Sequence, residues 1–226
     1  LNGFLVAKGK MNSLIVTLGT MTIWRGVAMV TTDAVSIQVA YPDFQVLGTG
    51  YVGPIPNGVI IMAVLFVAIW YILRHTTFGR YIYAIGGNQE ASKLAGLPVD
   101  RMRITVYIIS GVLTMLAGVL LASRMSSAQP TAGDGFEMTV IAAIILGGVS
   151  LNGGIGGIGG AFIGMLILGV LENGLTLLDV SSFWQNIARG IVIILAVYLD
   201  EVRKARLAKK IVQEQKDHLK KEGIAA

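Results

Sequence analysis

No cysteine occurs in the chain, which excludes a disulfide framework, a thiolate metal site and a cysteine nucleophile. Charge is scarce: 14% of the residues are charged, against roughly 25% in soluble domains, while 54% are hydrophobic. That balance is read as an all-α, polytopic integral membrane protein. Only two histidines occur, His75 and His218, and no His, Asp and Glu cluster at ligand spacing, so no metal site is expected. No serine has a positioned His and Asp around it, so no catalytic residue is expected. The net charge of +5 lies in membrane-flanking segments rather than in one patch, which argues against nucleic acid as a partner. The chain begins at Leu1, with no charged, cleavable leader, and a truncation at its N-terminus is expected.

What is abundant is glycine, 29 residues, with nine methionines, a mixture suited to closely packed membrane helices. Residues 1–12 read as the end of an earlier membrane element whose basic edge, Lys8 and Lys10, faces the cytosol. Six spans follow, at about 12–32, 58–73, 104–123, 138–148, 160–175 and 186–199, the fourth being short for the roughly 20 residues a crossing needs. Arg25 lies inside the first span and either snorkels beside Trp24 or joins a salt bridge or pathway. Residues 33–57 contain no Lys or Arg, are broken by Pro42, Pro54 and Pro56, and have room for a short interfacial helix. The missing cations place this stretch outside. Residues 1–200 form the transmembrane domain. Residues 201–226, part of a tail rich in Lys and Arg, read as a basic cytosolic helix able to meet anionic membrane lipid.

Residues 74–103 interrupt the apolar spans. They hold Arg74, Arg80, Lys93, Arg101 and Arg103 against only Glu90 and Asp100, which places them on the cytosolic side. Within them a helix is expected over 88–95. Asn88 caps it, Glu90 suits the positive end of its dipole, and Gly96 followed by Pro98 ends it. A short helix held there suggests a docking element for a cytosolic partner.

Gly154, Gly156 and Gly159 satisfy the G-x-G-x-x-G spacing of dinucleotide loops, but the flanks are membrane helices and no acidic residue follows in a βαβ context. No bound cofactor is expected. The glycines are read in two successive parts. Gly156, Gly160 and Gly164, four apart, would give a helix a flat strip for close packing. Gly153, Gly154 and Gly157 favour an unwound break, tolerated at membrane depth only against protein or a wet cavity. Candidate pathway groups are Glu172, which needs a partner or water, Asn173, and Gln129 within an uncharged external cluster with Ser126, Ser127 and Thr131.

Four stretches carry a family resemblance: 2–26, 78–97 with Glu90-Ala91-Ser92 and Gly96, 145–164, and 171–200. The chain resembles the permease subunit of ribose-type ATP-binding-cassette importers. The resemblance implies a bacterial cell-membrane protein with roughly ten spans, of which about six are visible. It also implies a second permease subunit, most simply as a homodimer, and ATPase subunits that use ATP and magnesium. A periplasmic or lipid-anchored sugar-binding protein would deliver the solute. Asn88, Glu90, Ala91, Ser92, Lys93, Leu94 and Gly96 would couple to the ATPase. A related permease for branched-chain amino acids or nucleosides is the near alternative; a secondary transporter or channel, which would need a midplane ion site, is the distant one.

Overall fold

The computed structural model describes residues 1–181, 183–195, 197–198 and 202. The expected basic tail, save Val202, therefore lies outside the described residues. The chain divides into two compact units, Leu1–Asp134 and Gly135–Ala226.

In the first unit, α1 (Asn2–Ala7) precedes α2 (Ser13–Thr32). Asn12 caps α2 by accepting from the Leu14 N–H at 2.9 Å. Threonines are admitted into this apolar helix because Thr17, Thr20, Thr22, Thr31 and Thr32 turn their hydroxyls back onto carbonyls four residues earlier. Asp33, in the left-handed region at φ 49°, stops the helix. Next come β1 (Ile37–Gln38), the short helix α3 (Pro42–Thr49), β2 (Tyr51–Val52) and β3 (Ile55–Pro56). A short helix is therefore present between 33 and 57, as expected, and Pro42, read as a breaker, opens it at a position where its missing N–H costs nothing.

α4 (Asn57–His75) meets α5 (Thr77–Gly87) at a tight corner. The Thr76 hydroxyl donates to Ile72 O at 2.6 Å and accepts from the Gly79 N–H at 3.4 Å. A Cβ on Gly79 would lie 2.1 Å from Leu73 O, so only glycine lets the two helices close this turn. α6 (Gln89–Leu94) and the 27-residue α7 (Val99–Met125) follow, and β4 (Ser127–Ala128) pairs antiparallel with β1. The basic stretch is thus no single loop. It holds α5, which its glycines concealed, and α7 begins at Val99 rather than 104.

α3 is fastened to α7 by one side chain. Ser123, fully buried, accepts from the Gly48 N–H at 2.7 Å and donates to Phe44 O at 2.6 Å. The backbones approach so closely that a Cβ on Gly48 would sit 2.4 Å from the Arg124 nitrogen. At the other end of α7, Gly3 of α1 faces Ile104 and Tyr107.

The second unit contains α8 (Phe136–Leu146), α9 (Ile158–Leu177) and α10 (Phe183–Leu195). Its small core is Ala142, Ala143 and Leu168, with Leu146, Val192 and Ile193 against it. Among the described residues α2, α4, α7 and α9 are long and apolar enough to cross a membrane. The other two expected passes appear as the shorter apolar helices α8 and α10.

Candidate functional site

Two features stand out as functional candidates, one in each unit: the α6 projection and the glycine-rich break between α8 and α9.

The α6 helix is only six residues long, below what a free peptide sustains, and its ends supply the order. Asn88 Oδ1 accepts from the Ala91 N–H at 2.9 Å. At the far end the Leu97 N–H reaches Ser92 O at 3.0 Å and the Gly96 N–H reaches Lys93 O at 3.1 Å. That pair of bonds is a Schellman closure, and it requires the φ of +81° that Gly96 supplies. Ser92 turns inward at 6% exposure, whereas Glu90, Ala91 and Lys93 are exposed and Leu94 is 91% exposed. Gln89 accepts from Arg103 of α7, tying the helix to the next span. Every residue of the expected docking set therefore belongs to one capped turn, as cap, inward anchor or outward face. Gln89 and Arg103 as its tether were not foreseen, because nothing local pairs residues 14 apart.

The break runs from Gly147 to Gly157, with positive φ at Gly148, Gly153, Gly154 and Gly156. Gly157 is extended and precedes α9 as its cap. The expected helical strip needs correction at one position. Gly156 has φ +125° and lies in the break, where a Cβ would meet Val149 at 2.7 Å. Gly160 and Gly164 do form the strip: Cβ atoms there would lie 2.2 Å from Gly147 O and 2.0 Å from Ala143 O. Gly147 completes the seam from the other side, its Cβ position 2.1 Å from Gly160 O. The break and, downstream of it, the packing strip are both present and adjoin.

The polar candidates resolve unequally. Glu172 has a partner: Arg189 of α10 donates to it from Nε and Nη2, both at 2.9 Å, with about a third of each side chain exposed. Asn173 is exposed beside it. Gln129 belongs to the first unit, exposed just after β4, whereas Glu172 and Asn173 belong to the second. Arg25 is ion-paired with Asp134, which favours the salt bridge over simple snorkelling. No sequence signal links these two, 109 positions apart.

Comparison with known proteins places this arrangement. Residues 1–197 match the family described as the branched-chain amino acid transport system / permease component. The chain is 48% identical over 204 residues to a ribose import permease protein of Haemophilus influenzae, covering 88% of this chain and 63% of that protein. The ribose import permease protein of Bacillus subtilis is 49% identical over 206 residues, covering 90% and 64%. An L-arabinose transport system permease protein of Escherichia coli is 43% identical over 203 residues, covering 90% and 62%. The chain thus spans less than two thirds of the length of these relatives, and no solved structure matches it. With 197 of its 226 residues accounted for in this way, the chain belongs to the family of permease components typified by branched-chain amino acid transport systems.

Proposed function

We propose that the chain is a translocation subunit of an ATP-driven importer of a monosaccharide such as ribose. The observation that carries the proposal is α6: a rigidly capped turn with a bare apolar residue, Leu94, at its tip. Exposed side by side, Glu90, Ala91, Lys93 and Leu94 suit a groove on an ATPase subunit, and the cap lets the turn transmit force as a lever. ATP and magnesium belong to that partner; this chain hydrolyses nothing. Residues 74–103 and the C-terminus then face the cytoplasm, and the 124–137 turn with Gln129 faces outward.

The relatives' names supply the substrate class, ribose or arabinose. Scarce charge in the spans agrees, since a neutral polyhydroxylated solute needs no compensating charge at depth. Glu172 and Asn173 are the polar groups assigned to the pathway in the second unit, and Gln129 in the first. A second permease subunit, in the simplest case another copy, completes the pathway, and an external binding protein delivers the sugar.

The family description favours a second reading, a branched-chain amino acid as the cargo. Uptake of labelled ribose and labelled leucine in a strain lacking its own systems, with the intact operon supplied, separates the two. Ribose accumulation is expected; leucine alone would overturn the sugar assignment. Coupling is tested with Leu94→Asp, which leaves both caps intact, and Gly96→Pro, which destroys one. Both should abolish stimulation of the partner ATPase while the chain still inserts. Normal stimulation by Leu94→Asp would remove α6 from the docking role.

A further inference from the structure

The C-terminal end of α4, cytoplasmic on the sidedness proposed above, on which this inference rests, carries a side-chain cluster that none of the roles above uses. Arg74 lies over the Trp70 ring, 5.7 Å from its centroid. His75 stacks on Tyr71 at 5.2 Å and meets Trp70 edge-on at 5.4 Å. Both pairs are four residues apart, so two basic groups stand side by side, each backed by a ring one turn earlier. All four residues are exposed.

The charge here has no internal answer. Between Asp43 and Glu90 the sequence contains no acidic residue. The ion pairs among the described residues are Arg25–Asp134 and Arg189–Glu172, so neither Arg74 nor His75 is neutralised by one. α5 starts at the same corner, adding the positive end of its dipole. Helical side chains lean towards the N-terminus of their helix, which sets the Arg74 guanidinium back at the level of the indole. Trp and Tyr at the end of an apolar span mark the membrane interface. The cation is therefore held at headgroup depth, unlike those of α6.

We propose that Trp70, Tyr71, Arg74 and His75 form a binding site for the phosphate of an anionic phospholipid. The guanidinium supplies a planar fork of donors to the phosphate, and the His75 ring N–H adds a donor in either protonation state. The rings hold both groups in place and lie against the glycerol and upper acyl chain. A free phosphate would meet the same donors, but the exposed apolar side chains of α4 alongside, Val64 and Val67 among them, favour a headgroup carrying its chains.

The test uses the 226-residue chain in nanodiscs of phosphatidylcholine doped with phosphatidylglycerol, with lipids retained on release counted by native mass spectrometry. Retention should favour phosphatidylglycerol. Arg74→Gln should reduce that preference about fivefold, the effect of one cation near an anionic surface. Trp70→Leu changes no charge and so leaves insertion intact; it should still reduce the preference about two- to threefold, the effect of an exposed cation–π contact. Lys10→Gln, a cation outside the cluster, should leave it unchanged. Equal losses for Lys10→Gln and Arg74→Gln, with none for Trp70→Leu, would mean diffuse charge attraction and overturn the site. Millimolar inorganic phosphate should not displace the lipid; full displacement would make this a free-anion site and equally overturn the proposal.

Discussion

Ser123 has one hydroxyl, and it both accepts from Gly48 and donates to Phe44. Ser123 is fully buried, whereas Gly48 and Phe44 are half-buried and stand four apart in α3, so removing the hydroxyl loses the bridge between α3 and α7, at about 1 kcal/mol. Ser123→Ala should therefore free α3 before it unfolds the rest. Limited proteolysis should show faster cleavage within 41–50 while cleavage elsewhere is unchanged. Arg25 and Asp134 call for a smaller figure. Their side chains are 29% and 66% exposed, so screening holds the pair to about 1 kcal/mol or less. In a double-mutant cycle, Arg25→Glu and Asp134→Arg should each lower the melting temperature. The swapped double variant should recover most of the loss, and strict additivity of the singles would remove the pair as a stabilising contact.

At the scale of elements, two glycines of α9 make opposite predictions. Gly164 abuts Ala143 O, so Gly164→Ala must push α8 and α9 apart, at about 1–3 kcal/mol. Gly169 has nothing within 4 Å, and Gly169→Ala should be neutral or stabilise by up to about 1 kcal/mol through helix propensity. Comparing the two melting temperatures in one detergent checks both. Elements were legible in the sequence where a local rule decides them: apolar runs of span length, the Asn88 cap, the Gly96 stop. α5 was not, because Gly79, Gly86 and Gly87 argue against a helix there. The α4–α5 corner needs Gly79 for a backbone contact that no periodicity encodes. Gly156 was misplaced for a similar reason, since a four-residue spacing cannot tell a helical glycine from one held at φ +125° by a loop.

For the whole molecule, sidedness is the largest testable statement. A chain without cysteine gives a clean background for single thiols. In intact cells a membrane-impermeant maleimide should label Ser127→Cys and spare Lys93→Cys, and in inside-out vesicles the pattern should reverse. Labelling of both from one side would refute the assigned topology. The capped turn of α6 was legible down to its residues because its order is local. The partners of Arg25 and Glu172 were not, because Asp134 lies in a distant turn and Arg189 on another helix, and the fold alone selects them. The seam of Gly147, Gly160 and Gly164 has a mechanical consequence. Peptide planes touch there with no side chains between them, so it has no rotamers to exchange and no graded way to yield. If α9 moves during a working cycle, α8 must travel with it as one stiff body or separate from it completely. Spin labels on either side of this joint should keep a single fixed distance through every step that leaves it closed.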